Sequence, residues 1–182
     1  LDIVKVYGVD AYRYFLLREV PFGLDGTFQE ELLKRRFNSD LANDLGNLVY
    51  RTLTMVEKHM SGNIPKLDRA SVSLHPIIKT IDALGSRIDK AMFEIDFSAA
   101  LIEIWSLINS ANKYIEETKP WQLVKEKKKK ELDEFLFILI EVLIKVAVEI
   151  SCFMPQTASN IQLQIEKDKI KKASPIFPRI DN

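Results

Sequence analysis

Asn47 and Arg51 stand four residues apart on the polar side of a helical pattern. An Asn amide carries both a donor and an acceptor, and Arg presents a planar fork of donors, so the pair can read the edge of a nucleobase. Polar pairs at this spacing also decorate many helix surfaces, and the spacing alone leaves both readings open. Trp121 follows Pro120 just past the end of a second helical pattern, where periodicity does not bury it. An indole beside a rigid proline makes a platform on which an unpaired base can stack; it can equally fold onto the end of a bundle. Residues 125–131 read KEKKKKE, and residues 113–130 hold seven Lys against three Glu. Such a patch beside an exposed aromatic can meet a phosphate backbone, or it can be the solvated first turn of the helix that follows.

Other chemistry finds little footing. The two His and the single Cys (His59, His75, Cys152) fit no zinc spacing. The six Gly are spread singly, without a phosphate-cradling loop. Glu30–Glu31 and Glu116–Glu117 fall at helix ends or exposed faces, where solvated carboxylates are ordinary. No arrangement of Ser, Cys and His points to a nucleophile.

The elements that must hold these residues are helical. Asp10 is a plausible N-cap for a short helix that ends near Pro21, and residues 20–28 form a turn-rich connection with room for a short strand. Thr27 and Glu30 have capping-box spacing ahead of a long helix over residues 28–60. On its wheel Leu41, Leu45, Leu48, Val49, Thr52 and Val56 share one face; Asp40, Asp44, Asn47, Arg51, Thr54 and Lys58 share another. A helix over residues 72–95 follows, with Pro76 near its first turn. Asp96 then caps one with the stripe Phe97, Ala100, Leu101, Ile104, Ile108, Ala111 and Ile115, ended by Pro120; Trp105 lies at the stripe's edge. A strongly apolar helix stops before Pro155, and a short one starts there. Long helices with short connections predict an all-α antiparallel bundle.

The apolar run over residues 135–154 is long enough to span a bilayer, yet Glu141, Lys145 and Glu149 place three charges on one stripe. It is expected to be the central helix of a bundle, not a membrane span. Across the 182 residues, Lys plus Arg and Asp plus Glu both number 26, so a strong non-specific grip on nucleic acid is not expected of the chain as a whole. A single Cys suits a reducing cytosol. The chain opens on Leu1 with no signal segment, so it is expected to begin inside a longer protein.

Three segments together resemble the methionyl-tRNA synthetases: YGVDAYRYFLLREVPFGLDGTF (7–28), NSDLANDLGNLVYR (38–51) and ANKYIEETKPW (111–121). The ending SPIFPRID resembles that family's core C-terminus. The resemblance implies a tail of the stem-contact fold over residues 1–27, a helical anticodon-binding bundle over 28–165 and a C-terminal tail over 166–182. It implies that Asn47 and Arg51 read the first anticodon base of CAU, and that Trp121, held by Pro120, stacks on an anticodon base. Asn112 and Glu116 match the helix face beside that site, although the family often has Asp at the second position. The implied partners are the anticodon loop of methionine tRNA and a catalytic domain preceding this chain, with no membrane. The implied parent is a methionine–tRNA ligase using ATP and Mg²⁺. The HIGH and KMSKS signatures that handle ATP are absent from these residues, so the chain alone is expected to be inactive. A stand-alone helical RNA-binding module and a purely structural bundle are the alternatives.

Overall fold

A computed structural model of the chain describes residues 2–20, 22–166, 169–171 and 174–180. Among them regular structure is entirely helical, with no strand. Two helices open the chain, α1 (Asp2–Tyr7) and α2 (Val9–Glu19). A long rod follows: α3 (Glu30–Arg36), a π-helical stretch (Phe37–Gly46) and α4 (Asn47–Met60). A 3₁₀ turn (Arg69–Val72) leads to α5 (Pro76–Phe93), α6 (Phe97–Thr118), α7 (Pro120–Lys125), α8 (Lys129–Ile150) and α9 (Pro155–Ile165).

The most apolar segment becomes the hub. Helix α8 touches α4, α5, α6, α7 and α9, and Phe135, Leu136, Leu139, Leu143, Val146 and Ile150 along it are fully buried. Its charged stripe stays outside, where Lys145 pairs with Glu149. Glu141 does not continue that ladder; it accepts from Arg69 at 2.9 Å, and Arg69 also holds Asp82 at 2.6 Å. No described helix is long and apolar enough to cross a membrane.

Local signals set several boundaries. Asp96 caps α6 by accepting from the Ala99 N–H at 2.8 Å, and His75 caps α5 ahead of Pro76. The rod's expected apolar face is buried throughout, from Leu41 to Val56. Its expected polar face needs one correction, because Asp40 is buried. The Asp40 carboxylate accepts from Tyr14 Oη at 2.7 Å and from Arg36 at 3.2 Å.

The N-terminal segment departs from expectation. Helix α2 starts at Val9 behind Gly8, whose φ is 83°, and Asp10 does not cap it. Instead Asp10 reaches across the molecule and accepts from the Thr157 N–H at 2.6 Å and hydroxyl at 2.8 Å, tying down the first turn of α9. Arg13 donates to the carbonyls of Cys152 and Phe153, both at 2.8 Å, just beyond the end of α8. With Tyr14 and Phe15 fully buried, each contributing roughly 1.5–3 kcal/mol by leaving water, α2 shares the bundle's core. Thr27 does not cap the rod, which starts at Glu30 behind Gln29 with no side-chain cap; the described part of the connection, residues 22–29, is turn and irregular chain rather than strand. The C-terminal tail is docked as well: Ile170 is buried and donates to the Gly62 carbonyl, and the Asn38 amide brackets both backbone groups of Ile180.

Candidate nucleic-acid interface

Helix α4 carries Asn47 in its first turn and Arg51 one turn later, both projecting from the side opposite Leu48, Val49, Thr52 and Leu53. Helix α6 supplies the facing residues. Arg51 donates through one terminal nitrogen to the Glu116 carboxylate at 2.6 Å. Asn112 donates to the Asp44 carbonyl at 3.1 Å, capturing a backbone oxygen at the end of the π-helical stretch. These two contacts run in the same sense along both helices, so α4 and α6 lie locally parallel, with their C-terminal ends at one end of the bundle. Asn47 is exposed and its side chain makes no hydrogen bond among the described residues.

At that end the chain turns sharply. Lys119 takes a left-handed conformation, φ 48°, and its N–H closes α6 onto the Ile115 carbonyl. Pro120 then opens α7 at its first position and is buried, which holds the next residue outward. Trp121 is 55% exposed. It lies five residues beyond Glu116, hence within about 18 Å of it along the chain. Trp105, by contrast, is buried against Tyr14 with ring centroids 4.4 Å apart, and its N–H points at the Asp40 carbonyl. Asn47, Arg51, Asn112 and Glu116 are thus brought together, with Pro120 and Trp121 on the adjoining helix.

The electrostatics of this face are mild. Both members of the Arg51–Glu116 pair are partly exposed, so their attraction is solvent-screened. Arg51's other nitrogens have no partner among the described residues and remain available as donors. Beside the face lies a hollow of about 540 Å³ between α2, the π-helical stretch and α6, lined by Arg18, Arg36, Asp44, Trp105, Asn109 and Lys113. Burial, with the Asp40 carboxylate adding to it, pushes the Asp44 carboxyl up to about 6. Burial also raises the Tyr14 hydroxyl, helped by Asp40. Sequence reasoning missed this hollow because it treated Asp40 and Asp44 as one solvated stripe. Among the described residues no cluster of His, Cys, Asp and Glu is arranged to hold a metal ion.

Known proteins resemble this chain along almost its whole length. The family model described as tRNA synthetases class I (M) matches residues 1–53. The methionine–tRNA ligase of Caldanaerobacter subterraneus subsp. tengcongensis is 44% identical over 99% of this chain, and that of Fusobacterium nucleatum 43% over 99%. Over almost its whole length the chain is similar to a part of the methionyl-tRNA synthetases. It spans about a third of the curated relatives it matches, 31% and 32% of their respective lengths. The apo Mycobacterium tuberculosis methionyl-tRNA synthetase superposes with a TM-score of 0.87 at 32% identity, covering 100% of this chain and 41% of that one. The same enzyme bound by methionyl-adenylate gives 0.87 over 97% of this chain. The all-α bundle is therefore the fold of this region in a solved methionyl-tRNA synthetase.

Proposed function

We propose that this chain is the anticodon-reading part of a methionine–tRNA ligase, recognising the CAU anticodon of methionine tRNA. The observation that carries the proposal is the link between the two helices through Arg51–Glu116 and Asn112–Asp44, with Asn47 exposed one turn before Arg51 and Trp121 exposed on the helix after α6. Cytosine presents an amino donor beside ring and carbonyl acceptors on its pairing edge. Asn47 can accept from the amino group while the unpaired Arg51 nitrogens donate to the acceptors. Glu116 holds one Arg51 nitrogen, which orients the guanidinium before RNA arrives and lowers the ordering cost of binding. Asn112 fixes the backbone just ahead of Asn47. Trp121, turned outward by Pro120, supplies the stacking surface. The Arg51–Glu116 ion pair by itself also suits a purely structural bundle; the exposed indole of Trp121 beside a buried Pro120 is what favours the RNA reading.

In this reading residues 1–27 are the tail of the stem-contact fold, residues 28–165 the anticodon-binding bundle and residues 166–182 a C-terminal tail. The exposed Val6, Phe22 and Leu24 would meet the catalytic domain. The whole enzyme would attach methionine to tRNA with ATP and Mg²⁺. In this reading the part in hand contributes recognition, and the ATP-handling HIGH and KMSKS signatures, absent from its sequence, would belong to the preceding domain.

Arg51→Gln tests the proposal. The amide cannot reproduce the guanidinium fork, so preference for C over another first base in an anticodon stem-loop should fall roughly tenfold or more, the scale of one bidentate base contact. Unchanged discrimination would remove Arg51 from the reading site.

A further inference from the structure

The lysines around α7 are not absorbed by anticodon reading. Lys119, Lys125, Lys127, Lys129 and Lys130 are all exposed, and none forms an ion pair among the described residues. Within the run only Lys128 is paired, to Glu126 at 2.7 Å. Two of these lysines occupy backbone positions that favour glycine. Four non-glycine residues among those described have positive φ, and Lys119 (48°) and Lys127 (55°) are two of them, one at each end of α7. Lys119 closes α6; Lys127 closes α7 and lets the Lys128 N–H reach the Leu123 carbonyl at 2.9 Å. Glycine would make either turn at no steric cost, so packing does not account for lysine there.

Beside Lys127 lies an open hollow of about 240 Å³, lined by the apolar Met60, Leu123, Val124 and Leu132 and by Lys127, Lys128 and Lys129. Its wall includes His59, from the last turn of α4. His59 is two turns beyond Arg51, about 12 Å along the helix axis. The Asn47–Arg51 stripe, Trp121 and this hollow thus occur in sequence towards one end of the bundle. An apolar floor beside lysines, of which Lys127 and Lys129 form no ion pair among the described residues, complements a nucleotide: the sugar or base lies on the floor and the phosphate against the lysines.

We infer that Lys119, Lys125, Lys127, Lys129 and Lys130 form a phosphate track for the RNA strand that continues from the base stacked on Trp121, with the next nucleotide over the Leu123–Val124 hollow. This rests on the anticodon reading and extends it to a part of the strand that carries affinity rather than sequence information. It also gives a chain of zero net charge a local positive patch beside the proposed reading site.

The test is the salt dependence of anticodon stem-loop binding by the 182-residue chain. Replacing Lys125, Lys129 and Lys130 together by Gln should lower the slope of log K against log salt by about 2, at roughly 0.7 for each single-strand phosphate no longer neutralised. The preference for CAU over a first-base variant should not change. Lys127→Gly gives the second arm: relief of the left-handed backbone should raise Tm while binding weakens, a pair of opposite signs that a structural role would not produce. CAU preference with an unchanged slope would overturn this inference alone, as would a triple variant that loses the preference itself. A wild-type chain without CAU preference would overturn the anticodon reading and the track with it.

Discussion

Two tryptophans on neighbouring elements have opposite surroundings, and the contrast is what makes Trp121 rather than Trp105 the proposed stacking residue. Trp105 is 6% exposed with its ring centroid 4.4 Å from that of Tyr14, whereas Trp121 is 55% exposed. Trp121→Ala should therefore weaken anticodon stem-loop binding about 5- to 150-fold, the equivalent of roughly 1–3 kcal/mol of base stacking. Thermal unfolding of the same variant should show a stability change within about 0.5 kcal/mol, as for other exposed positions. Asp44 yields a second residue-level expectation. Its folded-state carboxyl, at about 6, lies above the ordinary value of 3.8, so between those values the native chain binds more protons than the unfolded one. Stability contributed by this group should fall as pH rises from about 4 to about 6 and level off above that. Asp44→Asn should flatten that segment of the stability–pH curve and leave the variant more stable than the parent at pH 7. A denaturant titration series across pH would read both effects.

At the scale of elements, what was legible in the sequence depended on how local the cause is. The apolar spacings of α4, α5, α6 and α8 are set by neighbours three and four residues away, and their buried faces follow the wheel. Asp96 and Pro76 signal helix starts through contacts within three residues. Asp10 carries the same local signature as a helix cap, but its partner is Thr157, brought close only by the finished fold. The docking of the tail on Gly62 and Asn38 was hidden for the same reason. The π-helical stretch over Phe37–Gly46 has no sequence signature in a wheel of fixed period, although it sets the turn from which Asn47 and Arg51 project. Asp10→Ala should strand the Thr157 N–H and hydroxyl in a buried site and destabilise the fold by about 1–3 kcal/mol. Chemical denaturation would measure it; a change below about 0.5 kcal/mol would mean that α2 does not staple α9.

For the molecule as a whole, the site residues were individually visible while their assembly was not. Asn47 and Arg51 are separated from Trp121 by about seventy residues, and no periodicity says that α4 and α6 are neighbours; the Arg51–Glu116 and Asn112–Asp44 contacts supply that link. A neutral chain has little long-range attraction for RNA, so on the proposed reading its selectivity would come from short-range contacts around Arg51 and Trp121. The most direct test of that claim uses the two indoles as reporters. Exposed Trp121 should emit at the red edge of the tryptophan spectrum, and buried Trp105 towards the blue. Titrating the chain with a CAU anticodon stem-loop should quench the red-edge emission to saturation, and a stem-loop altered only in the first anticodon base should require roughly tenfold more RNA or greater. Binding seen by anisotropy without quenching, or identical titrations for the two stem-loops, would contradict the account.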